Sequence, residues 1–151
     1  MRIHRVDVEF EQASANMRIL PIDKRSDHSN YYGSSADPNG ILEVPHYGGV
    51  TYADVYPGVD VTFHFTANGM VEYDIEVEHL AELEQVRFRF KGANDVHVTD
   101  DLIQVGLAIG SIEEHLPASW YTQGTTQVPI KARYVAHNDG TIGFKVLDAP
   151  D

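Results

Sequence analysis

The 151-residue sequence has no cysteine, one tryptophan, and only 11 lysines and arginines against 23 aspartates and glutamates, a net charge of −12. Without cysteine there is no disulfide scaffold, no thiolate zinc site and no cysteine nucleophile. With so few cations the chain lacks the basic footprint expected of a protein that grips nucleic-acid phosphates or anionic lipid. No apolar run approaches the ~18 residues of a membrane span. Neither nucleic acid nor membrane insertion is therefore expected among its partners. A secretory leader is also missing. Met1-Arg2-Ile3-His4-Arg5 runs straight into Val6-Asp7-Val8-Glu9-Phe10, where acids interrupt at once. Two readings remain open: a cytoplasmic protein, or a fragment whose leader has been removed.

What is present points to a folded domain. Hydrophobic residues make up 42%, with 8 tyrosines and 6 phenylalanines, which is enough to fill a core. The length suits one domain spanning 1–151. Period-two alternation, the mark of a half-buried strand, recurs along the chain. It runs through Val6, Val8 and Phe10; Val59, Val61, Phe63 and Phe65; Val71, Tyr73, Ile75 and Val77; and Val86, Phe88 and Phe90. Further strands are expected at 96–98, 102–109, 112–116, 120–122, 128–135 and 142–147. The helix candidate is His79–Gln85, two turns at most. About ten short strands and at most one short helix predict an all-β fold, an antiparallel β-sandwich or an open barrel.

Two turns can be specified. Ala67-Asn68-Gly69 lies between alternating runs and offers Asn and Gly for positive φ. A three-residue loop there pairs residues whose numbers sum to 136. Phe63 then faces Tyr73, Phe65 faces Val71 and Val61 faces Ile75, while His64 meets Glu72, Thr62 meets Asp74 and Asp60 meets Glu76. Both faces come out consistent, and a one-residue slip would mix them. His137-Asn138-Asp139-Gly140 reads as a second hairpin turn. Ser26–Gly40, rich in Ser, Asn, Asp, Gly and Pro, reads as a long loop in which Tyr31 and Tyr32 should be packed.

The polar face of the first hairpin gathers Asp60, Glu72, Asp74 and Glu76 with His64. As a site it suggests a cation, a sugar or a carboxylate pair for glycosidic hydrolysis. As plain structure it is a solvated strand face, neutralised if the strand bearing Arg87, Arg89 and Lys91 pairs beside it. Of these, the structural ladder is preferred. The eight histidines show no HxH, HxxxH or HExxH spacing, which leaves convergence of His46, His64 or His115 in space as the route to a metal site. The oxygen-rich turns at Asp37-Pro38-Asn39-Gly40, Asp100-Asp101 and Asn138-Asp139-Gly140 lack the spaced acids and terminal Glu of a calcium hand. No GxSxG turn supports a serine nucleophile, and the Gly33-Ser34 and Gly110-Ser111 pairs have no histidine at a telling position. Gly48-Gly49 lacks the Lys and helix of a phosphate cradle. Trp120 and Tyr121, being adjacent on a strand, point to opposite faces, so one is expected in the core and the other partly exposed.

Five segments carry a resemblance. They are NYYGSSADP at Asn30–Pro38, VPHYGGVTYADVYPGVDV at Val44–Val61, VEYDIEV at Val71–Val77, VRFRFKGAND at Val86–Asp95 and LPASWYTQG at Leu116–Gly124. In this order they resemble the N-terminal all-β domain of large secreted bacterial proteins that carry SBBP-type β-propeller repeats. The likeness covers about Val6 to Asp148 and is most specific around YPGVDV and VEYDIEV. The sequence departs from the pattern in four places. An apolar start is missing, Gly40-Ile41-Leu42 stands where a Trp is usual, Glu78–Leu83 replaces a loop rich in Pro and Gly, and the closing IDP is absent. A shortened form or fragment of the family domain is therefore expected.

The resemblance implies an extracellular or cell-surface setting and assigns no chemistry. The resulting expectation is a non-catalytic structural or interaction module, not an enzyme. Its partners would be neighbouring repeat domains of the same polypeptide, with glycans or surface proteins as further candidates. The alternative is a carbohydrate- or calcium-binding β-sandwich module using Asp60, His64, Glu72, Asp74 and Trp120. No cofactor is expected, and calcium is the one candidate ion.

Overall fold

The computed structural model describes residues 3–33 and 39–148. Strands make up 62% of the described residues and helix 4%, the sheets are antiparallel, and among the described residues none closes into a barrel. The all-β expectation therefore holds. Two compact units are present, one of Ser14–Val77 and one of Met1–Ala13 together with Glu78–Asp151.

The Ser14–Val77 unit is one four-stranded sheet. Its strands are β2 (Arg18–Tyr31), β3 (Ile41–Tyr56), β4 (Val59–Phe65) and β5 (Val71–Val77), in spatial order β2-β3-β4-β5. The β4–β5 register is the one the alternation predicts, from Val61 opposite Ile75 to His64 opposite Glu72. Its turn is closed by Thr66 N–H to the Met70 carbonyl at 2.8 Å and Gly69 N–H to the Thr66 carbonyl at 2.9 Å, with Gly69 at φ 76°. One side of the sheet carries Tyr52, Phe63 and Tyr73 as successive ring pairs 5.8 and 5.6 Å apart. Val59 and Val61 are fully buried.

The two longest strands, β2 and β3, correct the sequence reading. Residues 26–31 belong to β2 rather than to a loop, and Tyr31 and Tyr32 are 56% and 72% exposed instead of packed. No alternation marks β2, because nearly all of its residues are exposed and burial does not sort them. It is an edge strand, so Pro21, which lacks an N–H, costs the ladder little there. Pro45 sits in the part of β3 that pairs β2 alone, since β4 begins to pair β3 only from Gly49. Residues 34–38, including most of the Asn30–Pro38 segment, the start of the Asp37 turn and Ser34, lie outside the described residues.

The second unit opens with β1 (Asp7–Phe10). The remaining strands follow a 3₁₀ helix at Leu80–Gln85, where the short helix is expected. They are β6 (Phe88–Lys91), β7 (Asp95–Val98), β8 (Leu102–Leu107), β9 (Gly110–His115), β10 (Ser119–Gln123), β11 (Thr126–Ile130), β12 (Ala132–Ala136) and β13 (Ile142–Val146). They form sheets ordered β1-β6-β13-β12, β7-β8-β9 and β10-β11. The single run expected at 128–135 is two strands parted at Lys131. The first pairs β10 and the second pairs β13, so one extended segment serves two sheets.

Phe88, Ile103, Val105, Tyr134 and Ile142 are the buried centre of this unit. Phe88 stands within 6.1 Å, centroid to centroid, of Phe10, Phe90 and Phe144. The 137–141 turn repeats the hydrogen bonds of the first: His137 N–H to the Thr141 carbonyl at 2.8 Å, Gly140 N–H to the His137 carbonyl at 3.0 Å, and Gly140 at φ 79°. Both are three-residue hairpin loops with a left-handed glycine in the last loop position.

Candidate functional site

The acidic face of β4 and β5 forms, but not as a receptive cluster. Asp60 is engaged by the backbone. Between Tyr52 opposite Val61 and Tyr56 opposite Val59, three residues of β3 face one residue of β4. This bulge holds Asp54 at φ 60°, and the Asp54 N–H donates to Asp60 Oδ1 at 2.8 Å. The bulge precedes the Tyr56-Pro57-Gly58-Val59 turn, where Gly58 takes φ 72° and makes the type II form possible. Such a turn matches strand twist poorly, and a bulge beside it restores the twist. Asp60 thus holds the strand crossing together.

Asp74 Oδ2 lies 3.0 Å from His64 Nε2, and Thr62 bonds Thr51 at 2.9 Å. Glu72 and Glu76 are exposed. Trp120 belongs to the other unit, on β10, where it is 46% exposed while Tyr121 is half-buried, as adjacent strand residues should be. Arg89 and Lys91 do not neutralise this face. β6 pairs β1 and β13, so Lys91 reaches Glu9 at 2.9 Å and Arg89 pairs Glu11. The Lys91 pKa is raised by the Glu9 hydrogen bond. The expected ladder exists with different acids. The β1 run supplies Glu9 opposite Arg89, a partner the sequence pattern offered equally well.

Among the described residues, three ligand-bearing side chains meet within 4.8 Å at Glu78, His79 and Glu82, not on the Asp60–Glu72–Asp74 face. Two of these three, His79 and Glu82, cap the 3₁₀ helix. Glu82 Oε2 accepts from the His79 N–H at 2.9 Å, and the His79 side chain accepts from the backbone of Glu82, a reciprocal capping box. Among the described residues, His46, His64 and His115 are not in this group.

His46 has a different environment, on the β2–β3 hairpin. Between Lys24 opposite Tyr47 and His28 opposite Pro45, β2 supplies Arg25, Ser26 and Asp27 where β3 supplies His46 alone. This second bulge turns Asp27 onto the imidazole. Ser29, two residues further on and opposite Val44, shares its face. Asp27 Oδ2 lies 2.9 Å from His46 Nδ1, and Ser29 Oγ lies 2.7 Å from His46 Nε2. The Asp27 carboxyl is held below its ordinary value of 3.8, chiefly by the hydrogen bond from His46. An ionised carboxylate only accepts, so Nδ1 carries the proton and donates. In the neutral imidazole Nε2 is then the acceptor for the Ser29 hydroxyl.

Ser29 and His46 are half-buried and Asp27 is exposed. No motif or spacing in the sequence pointed to this arrangement. Asp27 and Ser29 stand in the stretch read as loop, and His46 is 17 residues beyond Ser29. Only the i, i+2 spacing of Asp and Ser on a strand could have suggested a shared face.

Gly48 and Gly49, next to His46, serve close packing rather than a phosphate. A Cβ on Gly49 would stand 2.5 Å from the Phe63 carbonyl, and one on Gly48 would meet the Asp23–Arg25 ion pair that lies across it. Beside them runs a shallow groove of about 270 Å³, lined by Tyr47, Val50, Phe63, Phe65 and Val71 among others.

The fold and these sites define an all-β module of short antiparallel sheets. The chain belongs to the family described as Domain of unknown function (DUF7948), whose model matches residues 1–151. No curated protein and no solved structure matches it.

Proposed function

We propose that the chain is a structural or interaction module of a secreted or cell-surface bacterial protein, working beside repeat domains of the same polypeptide. The observation that carries this reading is the apolar surface of the Ser14–Val77 sheet. Phe65 and Val71, paired across the β4–β5 hairpin, are 58% and 63% exposed, and Met70 at its tip is open to solvent as well. Ile19 on edge strand β2, on the same sheet face by register, is likewise exposed, while Leu20 and Ile22 are exposed on the opposite face. Grouped exposed apolar side chains mark surfaces that a partner covers. The resemblance in the YPGVDV and VEYDIEV segments supplies the setting. On this reading Asp60 and Asp74 serve the sheet, and Glu72 keeps one face solvated.

The reading is tested on the complete gene and its product. A leader upstream, β-propeller repeats downstream and recovery of the product outside the cytoplasm are expected. A product that stays in the cytoplasm and carries no repeats would overturn it.

A further inference from the structure

We propose that Ser29 is an activated nucleophile that takes the acyl group of small carboxylic esters, with His46 as its general base and Asp27 as the residue that positions the imidazole. This goes beyond the module reading and rests on other residues. The geometry has the three linkages such a relay needs: carboxylate to Nδ1, Nε2 to hydroxyl, and a base held between them by both. Relays of this kind are recognised by geometry and role rather than by chain order or a local motif, which is why the missing GxSxG turn does not exclude one here.

The β2 bulge is the device that builds it. Without the three-against-one register between Lys24 and His28, Asp27 would not share His46 with Ser29. Bulges recur beside active sites because they re-aim side chains. The site lies on a two-stranded part of the sheet, where Pro45 and the end of the β3–β4 pairing leave His46 beyond the reach of β4. An ester therefore has an approach from solvent. Val44, half-buried opposite Ser29, offers one apolar neighbour and favours a short acyl chain.

The chemistry balances with water as co-reactant. The Ser29 hydroxyl proton passes to His46 Nε2 as Oγ bonds the acyl carbon. Collapse of the tetrahedral adduct breaks the bond to the leaving alkoxide, which takes that proton. Water then gives a proton to Nε2 while its oxygen attacks the acyl carbon, and Ser29 leaves with the proton returned. The products are one alcohol, one carboxylic acid and the free enzyme.

The test uses the whole chain with p-nitrophenyl acetate and a fluorophosphonate. One label per chain is expected, mapped by peptide mass to Ser29 and lost from that peptide in Ser29→Ala. His46→Gln should slow labelling by roughly 100-fold or more, as loss of a general base does. Asp27→Asn should slow it less and shift the imidazole tautomer. Nitrogen NMR of the unmodified chain should show the proton on Nδ1 of His46, a readout that needs no variant to fold. Labelling of Ser29 no faster than of other serines, a rate unchanged in folded His46→Gln, or a proton resident on Nε2 would overturn the proposal.

Discussion

Asp60 shows how a carboxylate in an acidic cluster can be a structural part. Its Oδ1 accepts from the Asp54 N–H at the β3 bulge, whereas Glu72, on the same face, is exposed. Removing a hydrogen-bond acceptor and leaving its donor unpaired costs about 1 kcal/mol. Asp60→Ala should therefore lower stability in urea by about that amount, while Glu72→Gln should stay within about 0.5 kcal/mol. Equal effects would mean that the bulge does not depend on Asp60.

Asp139 makes a second case, with a pH signature. Its carboxyl accepts from the Thr141 hydroxyl at 2.6 Å and the Thr141 N–H at 2.9 Å, and its pKa falls below 3.8 chiefly through that hydroxyl. A depressed folded-state pKa contributes stability that is present above the unfolded value and lost as pH falls through the folded one. Wild type should exceed Asp139→Asn in melting temperature at neutral pH, and the gap should close only below pH 3.8. A gap that closes near neutrality would contradict this.

At the scale of the element, legibility followed burial. β4, β5 and β6 bury, fully or partly, most of the apolar residues of their alternating runs, and period two found each of them. Even the β4–β5 register was legible, because a slip would have placed Phe63 and Tyr73 among acids. β2 and β3 were not, because β2 is exposed on both faces and both strands contain proline. Their pairing comes from backbone hydrogen bonds and bulges, which leave no periodic trace. The Asp27–Ser29–His46 relay was hidden for the same reason, and the β6 partner was misassigned because charge alone does not choose between two acidic strands.

The close passage of β3 over its neighbours gives a test of this part of the sheet. A Cβ at position 49 would press on backbone, the Phe63 carbonyl, whereas one at position 48 would press on side chains, the Asp23 carboxylate and Cβ and the Arg25 guanidinium. Gly49→Ala should cost about 1–3 kcal/mol, the range of overpacking, and Gly48→Ala distinctly less. Thermal or urea unfolding of the two variants decides. The reverse order would show that β3 and β4 are spaced more loosely than described.

For the whole molecule, the charge of −12 reads as a property of the surface. Glu9 and Glu11 are matched within the β1–β6 pair, Asp60 and Asp74 are committed within the sheet, and among the described residues no helix is long and apolar enough to cross a membrane. Beside its charges the surface carries exposed apolar side chains, at the β4–β5 tip and at Ile19 on β2. The central claim is that neighbouring domains of the polypeptide cover that surface. Hydroxyl-radical footprinting of this chain alone and within its full-length polypeptide tests it most directly. Phe65, Met70 and Tyr47 should be modified severalfold more slowly in the full-length protein, with Trp120 serving as the comparison. Equal rates at Phe65 and Met70 in the two forms would contradict the account.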